Sequence, residues 1–110
     1  MISVIIPTLN AEATLAVTLA SLLDAAVEGL VREVLVVDGG SGDRTRRIVD
    51  QAGAELIEAA PGRGRQLAEG AKRARMPWLL FLHADTRLPA DWQDEVTQFI
   101  QGIENGAAPP

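Results

Sequence analysis

Residues 78–85 read Trp78-Leu79-Leu80-Phe81-Leu82-His83-Ala84-Asp85: five consecutive apolar side chains, then an imidazole and a carboxylate two residues apart. Such a run after Pro77 predicts a strand buried on both faces, because a strand with one wet face alternates apolar and polar residues. Residues 34–42, Val34-Leu35-Val36-Val37-Asp38-Gly39-Gly40-Ser41-Gly42, repeat the pattern, with an apolar run ending on a carboxylate and a glycine-rich turn. Upstream, Ser3 to Ile6 form another run, stopped by Pro7. Between them, Glu55 to Glu58 form a weaker one that leads into Pro61-Gly62-Arg63-Gly64.

Helical periodicity fills the intervals. Leu15, Leu19, Leu22, Leu23 and Ala26 predict one helix between Asn10, a good N-cap, and Gly29. Asp43 can cap a second, with Ile48, Val49 and Ala52 inward and Gly53 at its end. A third presents Leu67, Ala68, Ala71 and Ala74, and a last one from near Pro89 presents Trp92, Val96, Phe99, Ile100 and Ile103. Apolar strands alternating with helices predict an α/β fold, a Rossmann-like parallel sheet with helices on both faces. In such sheets ligands bind beyond the carboxyl ends of the strands. The polar residues gather at those ends: Thr8 and Asn10, Asp38 to Ser41, and His83 to Asp85. One domain over residues 1–101 is expected, followed by a Gly/Ala/Pro-rich flexible tail over 102–110 that frays.

Composition narrows the function. The 110 residues are 47% apolar and 23% charged, enough for a continuous core and outside the disordered range. A net charge of −5 with interleaved signs argues against a nucleic-acid surface, although Arg44, Arg46, Arg47, Arg63 and Arg65 can meet phosphate locally. With no cysteine and one histidine there is no disulfide, no thiolate site and no multi-histidine zinc site. The opening Met1-Ile2-Ser3-Val4-Ile5-Ile6-Pro7 lacks the basic region of a signal peptide, and no apolar stretch nears the ~20 residues of a membrane span. The expectation is a cytoplasmic protein, with peripheral membrane contact left open.

The strand ends supply the chemistry. Asp38 follows Val37 directly, where a carboxylate can accept a base N–H or a ribose hydroxyl, while Gly39, Gly40 and Gly42 permit close backbone approach; an ordinary glycine turn is the plain alternative. The first strand is not followed by G-x-G-x-x-G, so a nicotinamide cofactor is a poor fit. Gly62-Arg63-Gly64-Arg65 opens a helix, and free N–H groups with two guanidinium forks suit a diphosphate. In His83-Ala84-Asp85 the intervening residue lets both polar side chains project from one side of an extended segment. Asp85 can hold a divalent cation or simply cap the next segment; a lone His83 is more often a hydrogen-bonded neighbour than a ligand.

In order and spacing, the strand plus Pro7-Thr8-Leu9-Asn10-Ala11-Glu12, Val37-Asp38-Gly39-Gly40-Ser41, Gly62-Arg63-Gly64 and Trp78 to Asp85 resemble family 2 glycosyltransferases. The resemblance runs from residue 2 to about 101 and implies the nucleotide-sugar-binding half of a GT-A fold. It implies a nucleotide-diphosphate sugar as donor, an acceptor not specified, and Mg²⁺ or Mn²⁺ as cofactor. It places Pro7, Thr8 and Glu12 around the nucleoside, Asp38 at the base, and Arg63 or Arg65 at the diphosphate, with Gly39 among the nucleotide-sugar-binding residues. Asp85 falls on the metal-binding second aspartate of the family's D-x-D, and His83 on the first, a departure at the ribose contact. Ala68 departs where asparagine is common.

Two readings compete with sugar transfer: a nucleotide-binding module without catalysis, and a nucleotidyltransferase-like enzyme. The latter would carry a glycine-rich basic loop after the first strand, where this chain has Pro7 to Glu12. No residue can be nominated as acceptor base, which lies in the family's second half, so the chain is expected to be incomplete. Trp78 to Leu82 would then form an open edge strand, with part of one sheet face bare, inviting self-association.

Overall fold

A computed structural model describes residues 1–106. Four strands form the expected parallel sheet: β1 (Ile2–Thr8), β2 (Val31–Asp38), β3 (Glu55–Glu58) and β4 (Trp78–Phe81), ordered β3-β2-β1-β4. The helices in those residues are α1 (Leu15–Ala20), α2 (Leu23–Val27), α3 (Thr45–Ala52), α4 (Arg63–Arg73) and α5 (Trp92–Glu104).

Alternation along the strands sorts the core into two layers. Ile2, Val4 and Ile6 of β1 and Val36 of β2 meet Leu15, Leu22, Ala25, Val49, Trp92 and Ile100 from the α1–α2 region, α3 and α5. Ile5, Leu35, Val37 and Ile57 face the other way, where Leu67, Ala71 and Ala74 of α4 and its C-terminal end pack on them. Ser3, also buried, is satisfied: its Oγ donates to Glu33 Oε1 at 2.7 Å and accepts Met76 N–H at 3.1 Å.

Gly70 sets the height of α4 above the sheet. A Cβ there would lie 2.5 Å from Ile5 Cγ2 and 3.0 Å from Val37 Cγ2, so only glycine permits the helix to approach this closely. The inward face of α4 is accordingly Gln66 and Gly70, flanked by Leu67, Ala71 and Ala74; Ala68, expected inward, is exposed.

Three local expectations change. The single helix predicted from Asn10 to Gly29 is two. Ser21 Oγ donates to Thr18 O at 2.6 Å, and Leu22 N–H bonds Leu19 O instead, a tighter turn that interrupts the helix. Asn10 caps nothing: it adopts φ 54°, and its side chain turns to the next loop. The last helix continues through Gly102 to Glu104, the start of the expected tail, while residues 107–110 lie outside the described residues.

β4 sits at one edge of the sheet. Leu79 and Phe81, in register with Ser3 and Ile5, lie on the α4 face and remain 39% and 49% exposed. Phe99 of α5 meets Trp78 edge-on at 6.2 Å between ring centres. Among the described residues no helix is long and apolar enough to cross a membrane.

Candidate active site at the strand ends

β1 and β2 end in register, Thr8 opposite Asp38. The Asp38 side chain has no solvent exposure, and its carboxylate is surrounded by donors from its own chain. Oδ1 accepts Thr8 Oγ1 at 2.8 Å and Ser41 Oγ; Oδ2 accepts Ser41 N–H at 2.8 Å and Gly40 N–H at 3.2 Å. Gly40 turns with φ 99°, which brings its N–H and the next onto the carboxylate. Burial pushes the Asp38 pKa up, but the bonds from Ser41, Thr8 and Gly40 outweigh it and hold the group below its ordinary value. Asp38 is therefore not the open acceptor expected from sequence. A base N–H could reach it only by displacing one of these bonds.

The loops after β1 and β2 are stitched together. Asn10 N–H donates to Ser41 Oγ, Ala11 N–H to Thr45 Oγ1 and Glu12 N–H to Asp43 Oδ2. In return Gly42 N–H donates to Asn10 Oδ1, and Arg44 N–H to Glu12 Oε2 at 3.2 Å. Asp43 also accepts Thr45 N–H at 2.9 Å, although the N-cap position of α3, where Asp43 was expected, is taken by Arg44. Glu12, expected beside the nucleoside, thus points at the start of α3. It borders a recess of about 510 Å³ with Arg44, Arg47, Ile48 and Gln51, apart from Asp38.

Gln66 joins this end of the sheet to α4. Nearly fully buried, it donates through Nε2 to Thr8 O at 2.9 Å and Val37 O at 2.8 Å, and accepts Gly62 N–H at 3.1 Å. Gly39 must be small here, since its Cβ would come within 3.1 Å of Gln66 Oε1 and Pro61 Cα. One amide thereby fixes the Gly62-Arg63-Gly64-Arg65 turn against the Thr8 and Val37 carbonyls at the ends of β1 and β2. Sequence reading passed over Gln66; the available signal was a polar residue one turn before Gly70 on a face that must be buried.

Arg63 and Arg65 are exposed at the first turn of α4. Leu82 N–H extends the β4 ladder to Ile5 O, which delivers His83 and Asp85, both exposed, beside the end of β1. Pro7 lies within β1, opposite Val37, so the strand runs one residue past the stop expected there. Topology thus brings Thr8, Asp38, Gly39, Arg63, Arg65, His83 and Asp85 to one end of the sheet. Among the described residues no hydrogen bond or ion pair links Arg63, Arg65, His83 or Asp85 to Asp38.

The model of glycosyl transferase family 2 matches residues 3–108. The chain belongs to glycosyl transferase family 2. Glycosyltransferase AglJ of Haloferax volcanii is 33% identical over 107 residues, 96% of this chain and 33% of that protein. Glucosyl-3-phosphoglycerate synthase from Mycobacterium tuberculosis, solved with Mn²⁺ and UDP-glucose, superposes with a TM-score of 0.77 at 28% identity, covering 96% of this chain and 40% of that one. S. aureus TarS gives 0.75 at 28% identity, covering 91% and 32%. The fold of this family 2 chain is accordingly the Rossmann-like GT-A type, and the chain spans about a third to two fifths of the length of these relatives.

The donor set of the family 2 chain suits one way of holding a divalent cation. No three His, Cys, Asp or Glu side chains converge on a metal among the described residues, so an all-protein cage is absent from them. Mg²⁺ and Mn²⁺ do not need one when a substrate diphosphate and water complete the octahedron around one or two carboxylates. Asp85, exposed and without a side-chain partner among those residues, fits that role. A second groove, of about 560 Å³, lies between α1–α2 and α3 near Val31 to Val34, at the far end of β2. It is lined mostly by aliphatic residues with Arg32, Glu33 and Gln51 among them, and the Glu33 carboxylate is engaged by Ser3 and Arg75.

Proposed function

We propose that this chain forms the donor-binding portion of a glycosyltransferase that takes its sugar from a nucleoside diphosphate with the help of Mg²⁺ or Mn²⁺. The observation that carries the reading is the gathering of Thr8–Asp38, the Gln66-tethered arginine turn and His83–Asp85 at one sheet end, in a chain of family 2. The relative solved with Mn²⁺ and UDP-glucose supports it.

In this reading Pro7, Thr8 and Gly39 border the nucleoside, and Asp38 holds that border rigid. Its longest bond, from Gly40, is the one a base N–H would replace. Arg63 or Arg65 neutralises the diphosphate, His83 stands by the ribose, and Asp85 anchors the cation. The bound cation would stabilise charge on the departing diphosphate. A base for the acceptor is not assigned to any of these residues.

Calorimetric titration with UDP, with and without Mn²⁺, tests the assignment. Mn²⁺ should tighten UDP about tenfold in the wild type through one charge-assisted ligand, and Asp85→Asn should remove the gain. His83→Asp should keep or enlarge it. An equal Mn²⁺ effect in wild type and Asp85→Asn would remove Asp85 from the metal site.

Self-association belongs at the β4 edge, where unpaired backbone groups and the exposed Leu79 and Phe81 offer a template for another strand. Light scattering over a concentration series should show mass rising with concentration and falling back in Phe81→Lys. A constant monomer mass would dismiss the edge as an association surface.

A further inference from the structure

We propose that Thr18, on α1 and 66 residues from Ala84 in sequence, is the positioning residue of the His83-Ala84-Asp85 segment; the functional half of this inference rests on Asp85 as metal ligand. Thr18 is 1% exposed and is one of two buried residues of α1. Its Oγ1 lies 2.8 Å from Ala84 O and 3.5 Å from Thr14 O. A hydroxyl has one proton, and the shorter contact takes it.

Packing holds the segment through Leu82, in the core, and Ala84 and Leu88 against it, but few hydrogen bonds fix its backbone. The side chains of His83 and Asp85 are exposed and make no hydrogen bond among the described residues. Leu82 N–H to Ile5 O is the last rung of the β4 ladder, and Thr86 N–H to His83 O at 3.1 Å closes the turn on itself. The Thr18–Ala84 bond is the tie from this turn to a helix, and it fixes the carbonyl between the two functional residues. Threonine has no helical advantage over valine, and both fill the same volume. Burying its hydroxyl costs free energy unless a partner is present, and the partner is Ala84 O.

Thr18→Val removes the bond at constant shape, Thr18→Ala removes it with less bulk, and Thr18→Ser keeps it. Two readouts are needed. By hydrogen exchange, Thr86 N–H should exchange about tenfold faster in the variants lacking the hydroxyl, while β1–β2 amides keep their protection and Thr18→Ser stays near wild type. By electron paramagnetic resonance with UDP present, Mn²⁺ should bind about tenfold more weakly in Thr18→Val and Thr18→Ala, with metal-free UDP affinity unchanged and Thr18→Ser restored.

Unchanged Thr86 exchange in Thr18→Val and Thr18→Ala would overturn the tether. Faster exchange with wild-type Mn²⁺ affinity, or an equal loss of metal-free UDP affinity, would overturn its role toward the metal. A wild type without any Mn²⁺ enhancement would instead reject Asp85 as ligand and, with it, the metal half of the proposal, leaving the exchange arm to decide the tether.

Discussion

Asp38→Ala should lower the unfolding free energy by about 2–4 kcal/mol, read from the urea midpoint, because it strands several buried donors at once. The two hydroxyls, Thr8 Oγ1 and Ser41 Oγ, can rotate toward other acceptors, but Gly40 N–H and Ser41 N–H are fixed by the backbone. Asp38→Asn should also destabilise, since its amide group would confront donors rather than acceptors on one side. The pH dependence follows from the sign of the shift. The folded state holds Asp38 below its ordinary value, so it releases this proton more readily than the unfolded chain. Its stabilisation is fully present above the unfolded value of ~3.9 and is lost as pH falls through the lower folded value. The midpoint should therefore decline below about pH 4 in the wild type, with a shallower decline in Asp38→Asn. Identical acid limbs in the two proteins would mean that Asp38 is not a buried anion in the folded state.

Gly70→Ala should lose about 1–3 kcal/mol through overpacking, although alanine is better than glycine by ~1 kcal/mol inside an exposed helix. The sign is decided by sterics. The new methyl would meet Ile5 Cγ2 at 2.5 Å, and Ile5 has no exposure through which to retreat. Gly70→Val should be worse. Because α4 also carries Arg63, Arg65 and Gln66, lifting it should weaken UDP binding beyond what the unfolded fraction explains. A Gly70→Ala protein more stable than wild type would show that α4 does not pack this closely.

Fold and site were unequally legible. The apolar runs at Val4–Ile6 and Val34–Val37 were plain in sequence because central strands are covered on both faces, and even the weak Glu55–Glu58 was placed correctly. Trp78–Leu82 is also a strand, but as an edge strand it leaves Leu79 and Phe81 exposed and is not buried on both faces as its apolar run predicts. The break after Ala20 was hidden because it depends on where one Ser21 hydroxyl points. Asn10 and Glu12 have the residue types of a cap and a ligand, yet both are drawn to the neighbouring loop, a contact about 30 residues away in sequence. Asp38 stands at the strand end where it was expected, but its exposure was misjudged, since the turn that wraps it is set by the φ of Gly40. Gln66 and Thr18 escaped for a shared reason. Each is an ordinary polar residue on a helix, and its weight comes from carbonyls that only the tertiary fold supplies.

The strand order carries a consequence for assembly. β1 leaves the ribosome ahead of both strands that will flank it. Its first partner, β2, lies about 30 residues on, and its second, β4, about 75. Closing the longer loop costs only about 0.8 kcal/mol more in chain entropy, so the delay is one of timing more than energy. During synthesis this apolar central strand therefore waits half-paired, its Ile5 face covered only once α4 has emerged and its free edge closed last. Nascent chains halted before Phe81 should consequently be the species that chaperones hold longest.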